Sequence, residues 1–447
     1  MATELDDLSR LIPQTFVDYY QGAEFLQQPV VMQRAQGLSY WDTQGKRYFD
    51  AIGGIFVASL GHSHPRVIDA VKKQLDIMTF APPLHAISDR ALELVDALAA
   101  VTPDDLDFVK GFSGGSESVE SALKFVRQYH RQSGHPEKFK FISCYGGYHG
   151  GTFGAMSASG TGKRKSAFEP LLNGFIKCFM PTELRDHFTD WDECNRFAAH
   201  LVEQTVINED PDTVAGIIIE PISNTAGIAT PGTAFLQALR DICDRHSLAL
   251  IFDEVITGFG KTGDMFAAQT FGVTPDIICS GKGLSSGVIP AGAMIARRSM
   301  GEVFFGDDRT HPHFAHGHTY AGNPLASAAG MAVIAEIVEK QLTARARTNG
   351  EYLRNRLQQL TRHGVVREVR GRGMLLGVEL VKDTSTNEPF PELGLALKKT
   401  AIENGLILRI NPTWFAVAPA LIAEQHDLDE MCDLIDASLQ AALNRVG

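Results

Sequence analysis

The chain has 447 residues, 44% of them hydrophobic and 21% charged, with 41 Lys and Arg against 53 Asp and Glu and a formal net charge of -12. At roughly 100–200 residues per domain this length holds two or three domains with full cores, which excludes a small stapled or metal-built scaffold. The acidic balance argues against a nucleic-acid partner, because phosphate neutralisation needs Lys and Arg gathered on one face, and it leaves small molecules and proteins.

Along the chain, residues 34–60 alternate, with Tyr40, Trp41, Tyr48 and Phe49 placed around the turn Asp42-Thr43-Gln44-Gly45. From about residue 105 to 300 short apolar runs ending in polar or glycine residues alternate with helical spacing, the βα pattern of a mostly parallel sheet. Expected strands are 108–112, 139–144, 214–219, 248–252, 276–279 and 291–296, and expected helices are 116–130, with Val119, Leu123 and Val126 on one face, and 233–246. Runs such as Ile217-Ile218-Ile219 suit strands buried on both faces. From Asn323 a long helical pattern follows through Leu325, Ala329, Val333 and Ile337, and then a mixed tail in which 370–380 reads as a turn and a strand. The expected organisation is a large α/β domain over 61–325 and a smaller one built from 1–60 and 326–447. No internal repeat, heptad or low-complexity tract interrupts it.

The six cysteines (Cys144, Cys178, Cys194, Cys243, Cys279, Cys432) are scattered without a Cys-x-x-Cys pair, which fits a reduced compartment. The segment Met1–Asp7 is acidic where a signal peptide is basic, and no apolar run reaches the ~18–20 residues of a membrane span. A cytoplasmic protein away from membranes is expected.

In parallel sheets the carboxyl ends of strands point into the crevice where ligands bind, and four such ends stand out here. Gly111-Phe112-Ser113-Gly114-Gly115-Ser116-Glu117 is a glycine turn opening a helix, whose backbone N–H groups make an anion seat. It lacks the Walker lysine and the Gly-x-Gly-x-x-Gly spacing, so nucleotide readings lose ground. Alone it is a weak signal, because a Ser or Gly before a helix is usually just a cap. Cys144-Tyr145-Gly146-Gly147-Tyr148-His149-Gly150 sets an aromatic and an imidazole among glycines, fit to stack on a flat ring or simply to turn the chain. Asp253, at the tip of Ile251-Phe252-Asp253-Glu254-Val255, is an acid on an apolar strand and implies a cationic partner. Lys282, in Ser280-Gly281-Lys282-Gly283, is flanked by glycines at a strand end, where a lone lysine is otherwise a solvated surface residue. Together the four ask for a ligand with a phosphate, a flat ring, a nitrogen cation and an aldehyde that traps an amine. Pyridoxal 5'-phosphate has all four.

The run from Leu250 to Gly263, followed by Pro275-Asp276 and Ser280-Gly281-Lys282-Gly283, resembles the signature of class III (ω-type) aminotransferases. Gly61-His62-Ser63-His64-Pro65, Tyr148-His149-Gly150, Glu220-Pro221 and the stretch His316 to Pro324 match the family in the same order and cover nearly the whole chain. The resemblance implies fold type I, a pyridoxal-phosphate cofactor and a homodimer with shared sites, or a tetramer of such dimers. It makes Lys282 the residue that bonds the cofactor and moves a proton, and Asp253 the partner of the pyridine nitrogen. Tyr148 and Val255 would cover the two ring faces, with His149 and Glu220 beside them; His149 reads equally as purely structural. The backbone of Gly115 and Ser116 would hold the phosphate, and Thr319 would reach a phosphate across the dimer interface. For the substrate, Arg409 resembles the family's mobile arginine, which clasps a carboxylate through two parallel hydrogen bonds and swings away for an apolar group. Phe56 falls where an aromatic often lines the pocket, and Trp414 and Phe415 would add an apolar wall.

Four positions depart from the family pattern. Thr225 stands where ornithine and 4-aminobutyrate enzymes carry a glutamate paired with the mobile arginine, and Ile256 replaces a frequent glutamine; both favour a pyruvate-using enzyme. Pro419-Ala420-Leu421 replaces Pro-Pro-Leu, and Gly114 replaces a serine while leaving the backbone donors. The histidine-rich segment 311–318 lacks metal-ligand spacing and overlaps the interface loop, so no metal is expected. The expected activity is a ping-pong transfer of nitrogen from an ω-amino acid or amine to a 2-oxo acid, pyruvate in particular. Its rivals are decarboxylase, epimerase or lyase chemistry on the same scaffold and, more remotely, a non-catalytic binding protein.

Overall fold

The computed structural model describes residues 8–307, 309 and 312–447. The segment Met1–Asp7, read above as unlike a signal peptide, and His311 of the histidine-rich segment lie outside the described residues. Three sheets organise the chain. The first carries β1 (Met32–Gln36), β2 (Ser39–Asp42) and β3 (Arg47–Asp50), and the second carries β4 (Leu106–Phe112), β5 (Lys140–Cys144), β6 (Phe175–Cys178), β7 (Val214–Ile219), β8 (Ala249–Asp253), β9 (Ile277–Ser280) and β10 (Gly292–Arg297). The third is formed late in the chain by β11 (Val366–Arg372) and β12 (Leu375–Leu380), together with β14 (Arg409–Asn411) and β15 (Trp414–Val417); β13 (Leu406–Ile407) returns to the first sheet.

The seven-stranded sheet runs β4-β10-β9-β8-β7-β5-β6. From β9 to β6 every neighbour is parallel, and β10 is inserted antiparallel between β9 and β4. The carboxyl ends of the other six strands therefore share one edge with the start of β10. β8 shows why its sequence has no polar face: Leu250 and Phe252 join the large core shared with the C-terminal elements, while Ala249 and Ile251 pack into a separate cluster beneath the helix Gly115–Gln132. A strand covered on both faces needs apolar residues on both.

The expected strands recur within two residues of their bounds, and the helix Thr233–His246 coincides with its expectation. β6 had no counterpart in the sequence reading, because Lys177 breaks its apolar run. The Lys177 ammonium is satisfied by the Ser143 hydroxyl at 2.7 Å and the carbonyls of Ser157 and Ala158 at 2.7 and 2.8 Å, and burial brings its pKa down to about 7. The stretch 370–380, read as a turn and a strand, holds the end of β11, the hairpin turn at Gly373 and Met374, and β12. The early strands meet the late ones directly: Leu406 and Ile407 pair parallel with Phe49 and Asp50. No helix among the described residues is long and apolar enough to cross a membrane.

Candidate active site

A cavity of about 390 Å³ opens at the carboxyl edge of the large sheet, lined by Gly115, Ser116, Tyr148, His149, Glu220, Asp253, Val255 and Lys282 among others. Its floor is a buried acid–base pair. Asp253 ends β8 and its Oδ2 lies 2.8 Å from His149 Nδ1, with both side chains almost wholly enclosed. The other carboxylate oxygen accepts the Val255 N–H at 3.2 Å, so a charge costly to bury alone is held by two partners.

The loop carrying Tyr148 and His149 is fixed by Glu220, just beyond β7. Its carboxylate accepts the Tyr148 N–H and the Ser223 hydroxyl, each at 2.9 Å, and the Asn224 N–H at 3.2 Å. Burial pushes the Glu220 carboxyl above its ordinary pKa. Ser159 Oγ takes the His149 N–H at 2.8 Å, and the Thr225 hydroxyl donates to the Gly146 carbonyl. Thr225 thus braces the aromatic loop.

Lys282 follows β9 with φ of 38°, a left-handed conformation that is strained for a side-chain-bearing residue and clusters at functional sites. Burial lowers the pKa of its ammonium, opposed by the carboxylates of Asp253 and Glu220. A depressed lysine loses its proton more readily and so becomes a nucleophile and a base nearer neutrality. At the opposite wall the helix Gly115–Gln132 begins. The N–H groups of Gly115 and Ser116 lie in its first turn, where no intrahelical acceptor exists. Ser113 N–H is already taken by Glu117 Oε2 at 2.8 Å, which leaves the Gly115 and Ser116 N–H groups for an anion. A Cβ on Gly115 would come within 2.7 Å of both Val255 methyl carbons, so only glycine lets Val255 close on the helix start.

The hydroxyl of Tyr148, a residue of the cavity lining, is 3.3 Å from that of Tyr19. The Arg164 guanidinium sits 4.7 Å over the Tyr148 ring and 4.3 Å over the Tyr19 ring. Burial, more than any neighbour, pushes the Tyr148 phenol up to about 12. Neither Arg164 nor Tyr19 was expected from sequence: Tyr19 is 129 residues from its partner, and Arg164 sits in the basic run Lys163-Arg164-Lys165, which reads as a solvated face.

Several expected substrate residues lie elsewhere. Phe56 is 1% exposed and packs in the core; with φ of 67° it turns inward and leaves its neighbour Val57 to line the cavity. Trp414 and Phe415 belong to β15 and are likewise buried in the core, so they form no pocket wall. Arg409, in β14, is half-buried outside the cavity lining and has no carboxylate partner among the described residues. Thr319 is exposed on its loop, away from the cavity of its own chain. In the histidine-rich segment, His316 is engaged by Ser121 Oγ at 2.7 Å and Lys124 Nζ at 2.8 Å.

A mostly parallel seven-stranded sheet with its lysine after β9 and its acid at the end of β8 is the architecture of fold type I enzymes. Comparison of the sequence with known families then narrows the class: the chain belongs to the class-III aminotransferases, whose model matches residues 20–439, and it is an aminotransferase. It is 35% identical over 431 residues to a probable aminotransferase of Mycobacterium tuberculosis, covering 94% of this chain and 91% of the relative. It is 34% identical over 422 residues to an omega-aminotransferase of Caulobacter vibrioides, covering 92% and 93%. Among solved structures, the omega transaminase of Pseudomonas jessenii in complex with PMP superposes with a TM-score of 0.94 at 30% identity, over 98% of each chain.

Proposed function

We propose that the chain is a pyridoxal-5'-phosphate transaminase that moves an amino group from an ω-amino acid or amine to a 2-oxo acid, pyruvate, by a ping-pong mechanism. The observation that carries this reading is the convergence, in one cavity, of the strained Lys282, the buried Asp253–His149 pair and the open first turn of the helix at Gly115. That donor set fits the cofactor: two free N–H groups and a helix dipole for a phosphate, an acid for a pyridine nitrogen and an amine for an aldehyde. Bound there, pyridoxal 5'-phosphate supplies the aldehyde that captures the amine and the ring that takes up the electron pair.

In this reading Lys282 anchors the cofactor and, once displaced by substrate, carries the proton between the substrate carbon and the carbon that receives nitrogen. Asp253, oriented by His149 Nδ1, keeps the pyridine nitrogen protonated. Tyr148 and Val255 hold the ring from either side, and Glu220 positions Tyr148 through its backbone. Gly115 and Ser116 bind the phosphate. Arg409 takes a substrate carboxylate; the absence of a paired acid among the described residues and the engagement of Thr225 with Gly146 support an ungated arginine and a pyruvate-type acceptor.

We also assign 61–325 to a large domain and 1–60 with 326–447 to a smaller one, supported by the β3–β13 pairing. A homodimer, with Thr319 reaching the partner's phosphate, is supported by an exposed apolar patch beside that loop, where Phe80 and Tyr320 meet edge to face at 5.9 Å and Leu84 and Ile87 stay uncovered. Six buried, unpaired cysteines support a cytoplasmic setting.

The test is a panel of amines and ω-amino acids incubated with pyruvate. The reading expects alanine together with the matching aldehyde, ketone or keto acid. It is overturned if no donor gives alanine while a 2-amino acid loses carbon dioxide or changes configuration. Borohydride reduction and peptide mapping check the cofactor separately, the expected product being a pyridoxyl group on Lys282.

A further inference from the structure

The mouth of the cleft gathers two guanidiniums that no carboxylate pairs among the described residues. Arg164 lies between the rings of Tyr19 and Tyr148 at 4.3 and 4.7 Å and has no carboxylate partner among the described residues. Arg409 likewise has none, and each arginine lies within the other's field: burial and then the charge of Arg164 lower the Arg409 pKa. The other charged or titratable groups around them are the two tyrosines, Lys282 on the cavity wall with the carboxylates of Asp253 and Glu220 that act on it, and Lys398, which stacks on Tyr20 at 3.7 Å and feels the Arg409 charge. Glu24 acts on Lys398 and accepts a hydrogen bond from Tyr20. Two guanidiniums within each other's field with no carboxylate paired to either among the described residues are an unfavourable arrangement, and a ligand that brings a carboxylate relieves it.

We propose that Arg164 is a second carboxylate-recognising residue, which anchors the distal carboxylate of an ω-amino acid donor while Arg409 takes the carboxylate of the 2-oxo acid. This rests on the transaminase reading above and names its donor class. The geometry suits a fixed role for Arg164. Two aromatic faces hold the guanidinium in place by cation–π contact, and no carboxylate among the described residues takes up its N–H donors. The same stacking sets it beside Tyr148, a residue of the cavity lining, so that a donor with its amine at Lys282 extends its other end toward Arg164. Two separate arginines also remove the need for one side chain to serve both half-reactions.

The experiment compares β-alanine, 4-aminobutyrate and 5-aminopentanoate with the unsubstituted propyl-, butyl- and pentylamines as donors to pyruvate, using wild-type holoenzyme, Arg164→Gln, Arg164→Lys and Arg409→Gln. Arg164→Gln is expected to lower kcat/KM for at least one ω-amino acid by about 10- to 100-fold, the worth of a charge-assisted hydrogen-bonded pair, while the matching alkylamine and the KM for pyruvate change less than about threefold. Arg164→Lys should recover part of the loss, and Arg409→Gln should raise the KM for pyruvate instead. Equal losses for amino acids and alkylamines in Arg164→Gln would mean that Arg164 only props Tyr148, and an unchanged ω-amino acid rate would mean that it touches no substrate; either overturns the proposal. If wild type makes no alanine from any donor, it is the transaminase reading that fails.

Discussion

The two walls of the cleft are built on different principles. On the cofactor wall the buried carboxylates have their partners in place: Asp253 holds His149 and the Val255 N–H, and Glu220 accepts three hydrogen bonds. On the substrate wall Arg164 and Arg409 have no carboxylate partner among the described residues, and Tyr19 is largely exposed. A wall that serves both half-reactions gains from being fixed before anything binds, since preorganised dipoles cost no rearrangement at the moment of reaction. A wall that must admit donors and acceptors of different shape gains from charges left unsatisfied until a substrate arrives.

The strongest way to break this comparison is to remove the shared wall. Lys282→Ala should lower kcat for every donor and acceptor by about 10⁴-fold or more, because anchoring and proton transfer vanish together. A loss confined to one substrate class would show that Lys282 is not common to both halves. Asp253→Asn should cost about 10²–10³-fold, again across the whole substrate panel, with the melting temperature nearly unchanged because the amide still fills the site beside His149. Single-turnover rates for each half-reaction check both.

The same contrast sets how much was legible in the sequence. The cofactor wall is written in strand ends: Asp253 closes an apolar run, Lys282 stands between glycines after the next strand, and Gly115 opens a helix, so each is a local signal. The large sheet was legible for the same reason, apart from β6, whose Lys177 hides an apolar strand behind a buried ammonium. The substrate wall has no local signature. Tyr19 reaches Tyr148 across 129 residues, Arg164 is one cation in a basic run, and whether Phe56 or Val57 faces the cavity turns on a single left-handed φ angle. Trp414 and Phe415 look like pocket aromatics in sequence, but β15 buries them in the core.

Glu254, next to Asp253, sharpens the comparison through pH. It is fully buried, accepts the Thr257 hydroxyl at 2.9 Å and the Ala268 N–H at 2.8 Å, and burial raises its pKa to about 7. A carboxyl whose pKa is higher folded than unfolded holds a proton that the unfolded chain lacks, from about pH 4.5 up to about pH 7. Its contribution to stability is therefore complete below that window and is lost as pH rises through it. Glu254→Gln removes the titration, so relative to wild type it should gain up to about 3 kcal/mol in unfolding free energy between pH 4.5 and pH 8. Denaturant midpoints at the two pH values check this, and a constant difference would mean that Glu254 is not the buried titrating group.

The smallest effect tests how closely the cofactor wall is packed. Gly115→Ala sets a methyl 2.7 Å from both branches of Val255, and overpacking of this kind costs about 1–3 kcal/mol. The penalty has two outlets: Val255 can rotate or shift away from the ring face it is proposed to cover, or the helix start can retreat from the phosphate. In either case the variant should release its cofactor faster on dilution while its kcat at saturating cofactor falls less than that of Asp253→Asn. Adding Val255→Ala gives the new methyl room, so the double variant should regain most of the lost melting temperature, an interaction term of the sign expected for neighbours in contact. If the two substitutions instead add independently, Val255 and the helix start do not close on each other, and the cofactor wall is no more preassembled than the substrate wall opposite.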